Sequence, residues 1–227
     1  MRTMLRGGLA LLRRRPASRR IVAVAALLAG AVLFAQGLWI PVKAEVAQVL
    51  LERAWRTTVA AARQTAPGEE DRRTPGAPRV APWSWADTWP VARLTLPEAA
   101  TGRGGRGLIV LASTSGEAMA FGPGMRANGE MAHEAGDLLI AGHRDTHFAA
   151  LRHLAAGQLL HLELPGKAQR AYRVGSLRVV HRSRYAPPPA ATDRLTLVTC
   201  WPFDALVPGG PLRLVVEAER VDGGSSS

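Results

Sequence analysis

The chain of 227 residues carries 29 Lys and Arg against 18 Asp and Glu, a formal charge of +11, and 47% of its residues are hydrophobic. That length supports one sizeable domain with extensions rather than two full domains. Seven of the arginines precede residue 21 and no acidic residue occurs before Glu45, so the excess charge belongs to the N-terminus and does not mark a nucleic-acid-binding surface.

Residues 1–20 form the basic N-terminus. Residues 21–40, IVAVAALLAGAVLFAQGLWI, are uncharged, and Gln36 is the one polar side chain among them. At about 1.5 Å per residue, a helix of this length crosses a hydrocarbon core of about 30 Å. Arginines before the run and mixed charges after it (Lys43, Glu45) place the N-terminus in the cytoplasm. Trp39 then sits near the far interface. The competing reading is a cleaved signal peptide with Val42-Lys43-Ala44 at its cleavage site. The apolar region of such a peptide is about 7–15 residues long, shorter than this run. A single-pass, uncleaved signal-anchor is therefore expected, and on either reading the rest of the chain is exported.

Residues 41–82 divide in two. Val42, Val46, Val49, Leu50 and Val59 recur at helical spacing and predict an amphipathic helix, read as a packing helix or stalk beside the membrane. From Gln64 to Pro82 the chain is rich in Pro, Gly and charge and reads as a flexible linker.

From residue 83 to 221 the pattern changes to short strand-like runs punctuated by Gly and Pro. Strands are predicted over Val91–Leu96, Gly107–Ser113, Asp137–Gly142, Gln158–Leu164, Ala171–His181, Leu195–Thr199 and Leu212–Ala218, with Glu117–Phe121 as a further strand. Ala92, Leu94 and Leu96 share one face of the first. Phe148–Leu154 is at most two helical turns. Gly122-Pro123-Gly124 reads as a turn, since no Gly-Lys-Ser/Thr follows to make a phosphate loop. The clustered Trp83, Trp85 and Trp89 are expected to plug one end of the fold. Regular short strands of this kind predict an all-β barrel or sandwich of roughly seven or eight strands. Residues 222–227 read as a flexible tail.

Cys200 is the only cysteine. An exported cysteine with no partner in its own chain is a buried inert residue, half of an intermolecular bridge, or a reactive thiol. A nucleophilic cysteine needs a base or cation that holds it as thiolate and a donor for the oxyanion. Of the six histidines, His143 ends a buried strand in LLIAGHRDTHF, as Cys200 ends LTLVTC. Strand ends are where a barrel exposes reactive groups on a rigid scaffold. Arg213 lies early in the strand that follows a Pro/Gly turn, within reach of the same rim. His161 falls on an outward strand position, and His153 and His181 lie in polar surroundings. His143 and His147, with Asp145 between them, have the spacing of a helical metal pair. Gly142 and the strand ending there argue against a helix, so no metal and no cofactor is expected.

A strand ending in Gly-His-Arg-Asp, a later strand ending in Thr-Cys and an arginine just beyond resemble the sortases, membrane-anchored cysteine transpeptidases. The stretches AGHRDTHF, LVTCWPFDALVPGGPLRLVV and PWSWADTWPVARL resemble the Gram-negative class of that family. The resemblance covers roughly Trp83 to Arg220. It implies an all-β, closed sortase-type barrel of about eight strands with short helices, behind one N-terminal transmembrane helix. It implies Cys200 as nucleophile, His143 as its partner and Arg213 as the cation that orients substrate and holds the oxyanion. Thr199 and Asp145 match supporting positions. Trp201 and Leu214 stand where the class often carries tyrosines, a departure that bears on peptide specificity rather than on chemistry.

The implied activity is cleavage of an LPxTG-like C-terminal sorting signal of a secreted protein through a thioacyl intermediate, with transfer to an amine acceptor. The implied location is the inner membrane, with the catalytic domain in the periplasm. Two rivals stand beside this reading. An L,D-transpeptidase-like acyltransferase would need a histidine just upstream of the cysteine, where Thr-Cys-Trp stands instead. A non-catalytic, membrane-tethered binding module would keep Cys200 as a packing residue.

Overall fold

The structure is a computed structural model. It describes residues 16–64, 79–102, 107–126, 137–185, 193–205 and 209–221, with side chains in the first helix described for residues 22–30 and from Val46 onward. The chain divides into two compact units, Met1–Glu45 and Val46–Ser227. Helix α1 runs from Pro16 to Gln64. Among the described residues no helix is long and apolar enough to cross a membrane. Half of the expected membrane span, residues 31–40, lies outside the described side chains, as do most of the expected linker, at 65–78, and the tail.

The second unit is a closed barrel of eight strands. They are β1 (Pro90–Thr95), β2 (Leu108–Leu111), β3 (Gly124–Arg126), β4 (Leu138–Ala141), β5 (Leu159–Glu163), β6 (Arg170–His181), β7 (Arg194–Trp201) and β8 (Leu212–Val221). Around the barrel the order is β1-β2-β3-β4-β7-β8-β6-β5. The β2–β3 and β4–β7 pairs are parallel, and the other ladders are antiparallel. Two short helices, α2 (Glu98–Thr101) and α3 (Gly116–Met119), and a 3-10 helix (Ala149–His153) fill connections.

Alternation along the strands builds the interior. Ala92, Leu94 and Leu96 from β1 and its exit, Leu138 and Ile140 from β4, Leu160 and Leu162 from β5, Leu195 and Leu197 from β7, and Leu214, Val216 and Ala218 from β8 form one core cluster. Burying each Leu or Val stabilises the fold by about 1.5–3 kcal/mol relative to exposure. The period of two dictates the converse: Val198 and Cys200 on β7, and Arg213 and Val215 on β8, face out of the barrel.

Helix α1 covers one outer face. Leu51 and Trp55 pack with Ile109, Leu111 and Ala118, while Val59, Trp83 and Phe121 flank them. Glu52 receives both carboxylate contacts from Arg93 Nη2 at 2.7 Å, and Gln48 Nε2 donates to the Phe121 carbonyl at 2.9 Å. The segment is thus a packing helix, but its buried face is Leu51/Trp55. Val46 and Val49, which the periodicity assigned to that face, are each 53% exposed.

Three local expectations need correction. Glu117–Phe121 is not a strand. Ser115 caps α3 by accepting from the Ala118 N–H, which starts a short helix here. The strand there is β3, which begins at Gly124 inside the expected turn. A Cβ at Gly124 would sit 2.1 Å from the Ser113 carbonyl oxygen, so the close approach to the β2 exit needs glycine. Nor do the three tryptophans plug the barrel together. Trp83 meets Phe121 edge-to-face at 4.8 Å under α1, Trp89 lies beneath Arg79, and Trp85 is 84% exposed.

Candidate active site

β7 lies between β4 and β8, and the three candidate residues come from these adjacent strands. Cys200 and Arg213 are direct register partners across the antiparallel β7–β8 ladder. Directly opposed residues share a face, and alternation makes it the outer one. Cys200 is half-buried and is a free thiol. The Nη1 of Arg213 donates to the carbonyls of Gly210 and Leu212 at 2.6 and 2.8 Å, which fixes its guanidinium at the start of β8.

β4 runs parallel to β7 with Ala141 level with Val198. The Gly142 N–H continues the ladder to the Val198 carbonyl at 3.1 Å. The buried Thr199 hydroxyl then donates to the Gly142 carbonyl at 2.8 Å. His143 follows at the level of Cys200, is exposed, and leaves the sheet where the alternation of β4 directs it outward. Its carbonyl receives the N–H of Phe148 at 3.0 Å, closing a tight turn. Gly142 permits this turn, since a Cβ there would sit 2.9 Å from the Phe148 ring.

The supporting candidates separate. Thr199 ties the cysteine strand to the histidine turn through the bond just described. Asp145 is 63% exposed and accepts from Arg144 Nε at 3.3 Å. Trp201 belongs to the inward alternation. It packs against the core cluster and meets Phe203 edge-to-face at 5.5 Å.

Two residues of the GHRDTH stretch were not singled out for the site they help to build. Arg144 is only 3% exposed, and its Nη1 and Nη2 donate to the Pro202 and Ala205 carbonyls, each at 2.9 Å. An arginine between a histidine and an aspartate carries no sequence signal that it will be buried. His147, weighed above only as a metal ligand, hydrogen-bonds the Ala120 carbonyl. Burial pushes its pKa below the usual 6.5; that carbonyl opposes the shift, and the charge of His143 adds to it. Its Nε2 is buried without a hydrogen-bond partner among the described residues. Among the described residues no three His, Cys, Asp or Glu side chains cluster closely enough to hold a metal ion. Beside the His143 turn lies an open pocket of about 500 Å³, walled by Leu96, Ala100, Leu108, Thr146, His147 and Arg152.

The Sortase domain family model matches residues 102–221, over half of the chain and all three strand-end motifs. The chain belongs to the sortase family. Sortases are cysteine transpeptidases, so the expected closed barrel and the enzyme class stand together, and the L,D-transpeptidase-like rival falls. No curated protein matches the chain. Among solved structures, sortase A from Corynebacterium diphtheriae is similar at 20% identity and TM-score 0.51, over 80% of this chain and 86% of that one. Sortase C1 from Streptococcus agalactiae is similar at 18% identity and TM-score 0.51, over 80% of this chain and 89% of the other. Sortase C from Streptococcus pneumoniae is similar at 20% identity and TM-score 0.50, over 77% of this sortase and 89% of that one. At these identities the likeness is one of fold.

Proposed function

We propose that this sortase is a membrane-anchored transpeptidase of the Gram-negative class, acting on an LPxTG-like sorting signal of a secreted protein. The observation that carries the reading is the pairing of Cys200 with Arg213 on one outward face, with His143 entering from the neighbouring parallel strand.

The Cys200 thiolate attacks the scissile carbonyl carbon, forming a C–S bond and an oxyanion. Arg213, as a planar cation at the adjacent register position, stabilises that oxyanion and orients the peptide. The C–N bond then breaks, and protonated His143 gives its proton to the leaving amine. An incoming amine passes a proton to His143 and attacks the thioester. The C–S bond breaks, an amide forms, and the thiolate is restored. Water in place of the amine gives hydrolytic release. Thr199 holds the histidine turn against the cysteine strand.

The uncharged run over 21–40 behind its arginines supports the single-pass anchor, with the N-terminus cytoplasmic and the barrel in the periplasm. The test is transfer of a quenched-fluorescent peptide library, built on the LPxTG pattern, to a small amine. Turnover that needs both Cys200 and His143 supports the reading. Turnover that persists in Cys200→Ala sinks it.

A further inference from the structure

We infer that Arg144 is a positioning residue that ties the His143 turn to the segment following Cys200 and so fixes the spacing of the two reacting side chains. The inference rests on the proposed roles of Cys200 and His143.

A guanidinium that is 3% exposed is costly to bury unless its donors are satisfied. Arg144 directs two of its donors to a chain segment. Asp145, which accepts from the Arg144 Nε at 3.3 Å, is 63% exposed. The Arg144 Nη1 and Nη2 reach inward to the carbonyls of Pro202 and Ala205, both at 2.9 Å. Those residues belong to the connection that leaves β7 directly after Cys200 and Trp201. Two divergent carbonyls suit the fixed fork of arginine, which a lysine cannot reproduce with one point charge.

A second arginine from the same β4–β5 connection grips the same segment. The Arg152 guanidinium lies 5.1 Å over the Phe203 ring, and Phe203 meets Trp201 at 5.5 Å. The connection that carries His143 therefore holds Pro202, Phe203 and Ala205, three residues of the connection that follows the nucleophile. The Thr199–Gly142 bond joins the same two elements on the strand side. Between them, Thr199 and Arg144 fasten His143 to Cys200 before and after the cysteine. Arg144 acts on backbone carbonyls, so its effect reaches the chemistry through the placement of His143 and Cys200.

The test uses the full-length chain, a peptide that it turns over in a Cys200-dependent manner, and the variants Arg144→Lys and Arg144→Gln. Loosening a reacting pair by about 1 Å costs up to about 100-fold in rate. We expect kcat to fall by about 10–100-fold with KM within about twofold, since the peptide gains and loses no contact. Arg144→Ala is expected to regain part of its kcat on addition of methylguanidinium, which a general loss of folding would not allow. If the Gln and Ala variants do not fold, the Lys variant decides by its kcat alone. Wild-type kcat in folded Arg144→Lys overturns the inference, and so does a rise in KM at unchanged kcat. A wild-type chain without Cys200-dependent turnover overturns the proposed function, and this inference with it.

Discussion

Cys200 and Arg213 stand directly opposite each other on β7 and β8, and the alternation of both strands turns them away from the hydrophobic core. Strand pairing rather than a flexible loop sets the distance between the candidate nucleophile and its cation. The predictions that follow rest on that rigidity.

Arg213→Lys keeps the charge but loses the fork, and Arg213→Ala loses both. Removing an oxyanion donor costs about 10²–10³ in rate. We expect that loss in kcat/KM for the Ala variant and an intermediate value for Lys, read by peptide transfer. The Gly210 and Leu212 carbonyls that Arg213 bonds are only partly buried, at the start of β8, so thermal stability should change little in either variant.

Thr199→Val keeps the volume but leaves the buried Gly142 carbonyl without its hydroxyl donor. Leaving a buried acceptor unsatisfied costs about 1–3 kcal/mol. Denaturant unfolding should register that loss, and kcat should fall with it because the turn that carries His143 is released.

His147 makes stability depend on pH. Burial holds its folded pKa below 6.5, so the folded state resists a proton that the unfolded chain accepts. Stability is therefore full above the unfolded value of 6.5 and declines as pH falls through the lowered folded value. Asn at this position retains a donor for the Ala120 carbonyl but does not titrate. Unfolding midpoints at pH 7.5 and 5.5 should draw closer together in His147→Asn than in wild type. An unchanged gap would count against the assignment.

Helix α1 should be energetically part of the barrel unit from Leu51 onward. Trp55 is 2% exposed and its truncation to Ala is expected to cost about 3–5 kcal/mol, read from denaturant unfolding of the full chain.

Much of the barrel was readable because its strands are long enough to show a period. β1, β5, β7 and β8 largely alternate leucine, valine and alanine against polar residues, and Cys200 and Arg213 lie on two of them, while His143 follows the wholly apolar run of β4. β3 escaped notice because three residues, Gly-Met-Arg, carry no period, and Gly124 is there for a close backbone contact. α3 was read as a strand because Glu117–Phe121 is a short, largely apolar run, while the decisive signal was the Ser115 cap. In α1 the valines drew attention away from Leu51 and Trp55, whose burial is decided by the outer face of β2, a tertiary partner that no local pattern encodes. Arg144 was passed over for the same reason: its Nη1 and Nη2 reach backbone carbonyls far along the chain, and carbonyls leave no mark in a sequence.

The most direct measurement is the intact mass of the protein trapped during turnover of a sorting-motif peptide. The account predicts an adduct equal to the N-terminal part of the cleaved peptide, carried on Cys200, released by hydroxylamine and lost in Cys200→Ala. An adduct that forms undiminished in Cys200→Ala, or peptide cleavage that continues at the wild-type rate in that variant, would contradict it.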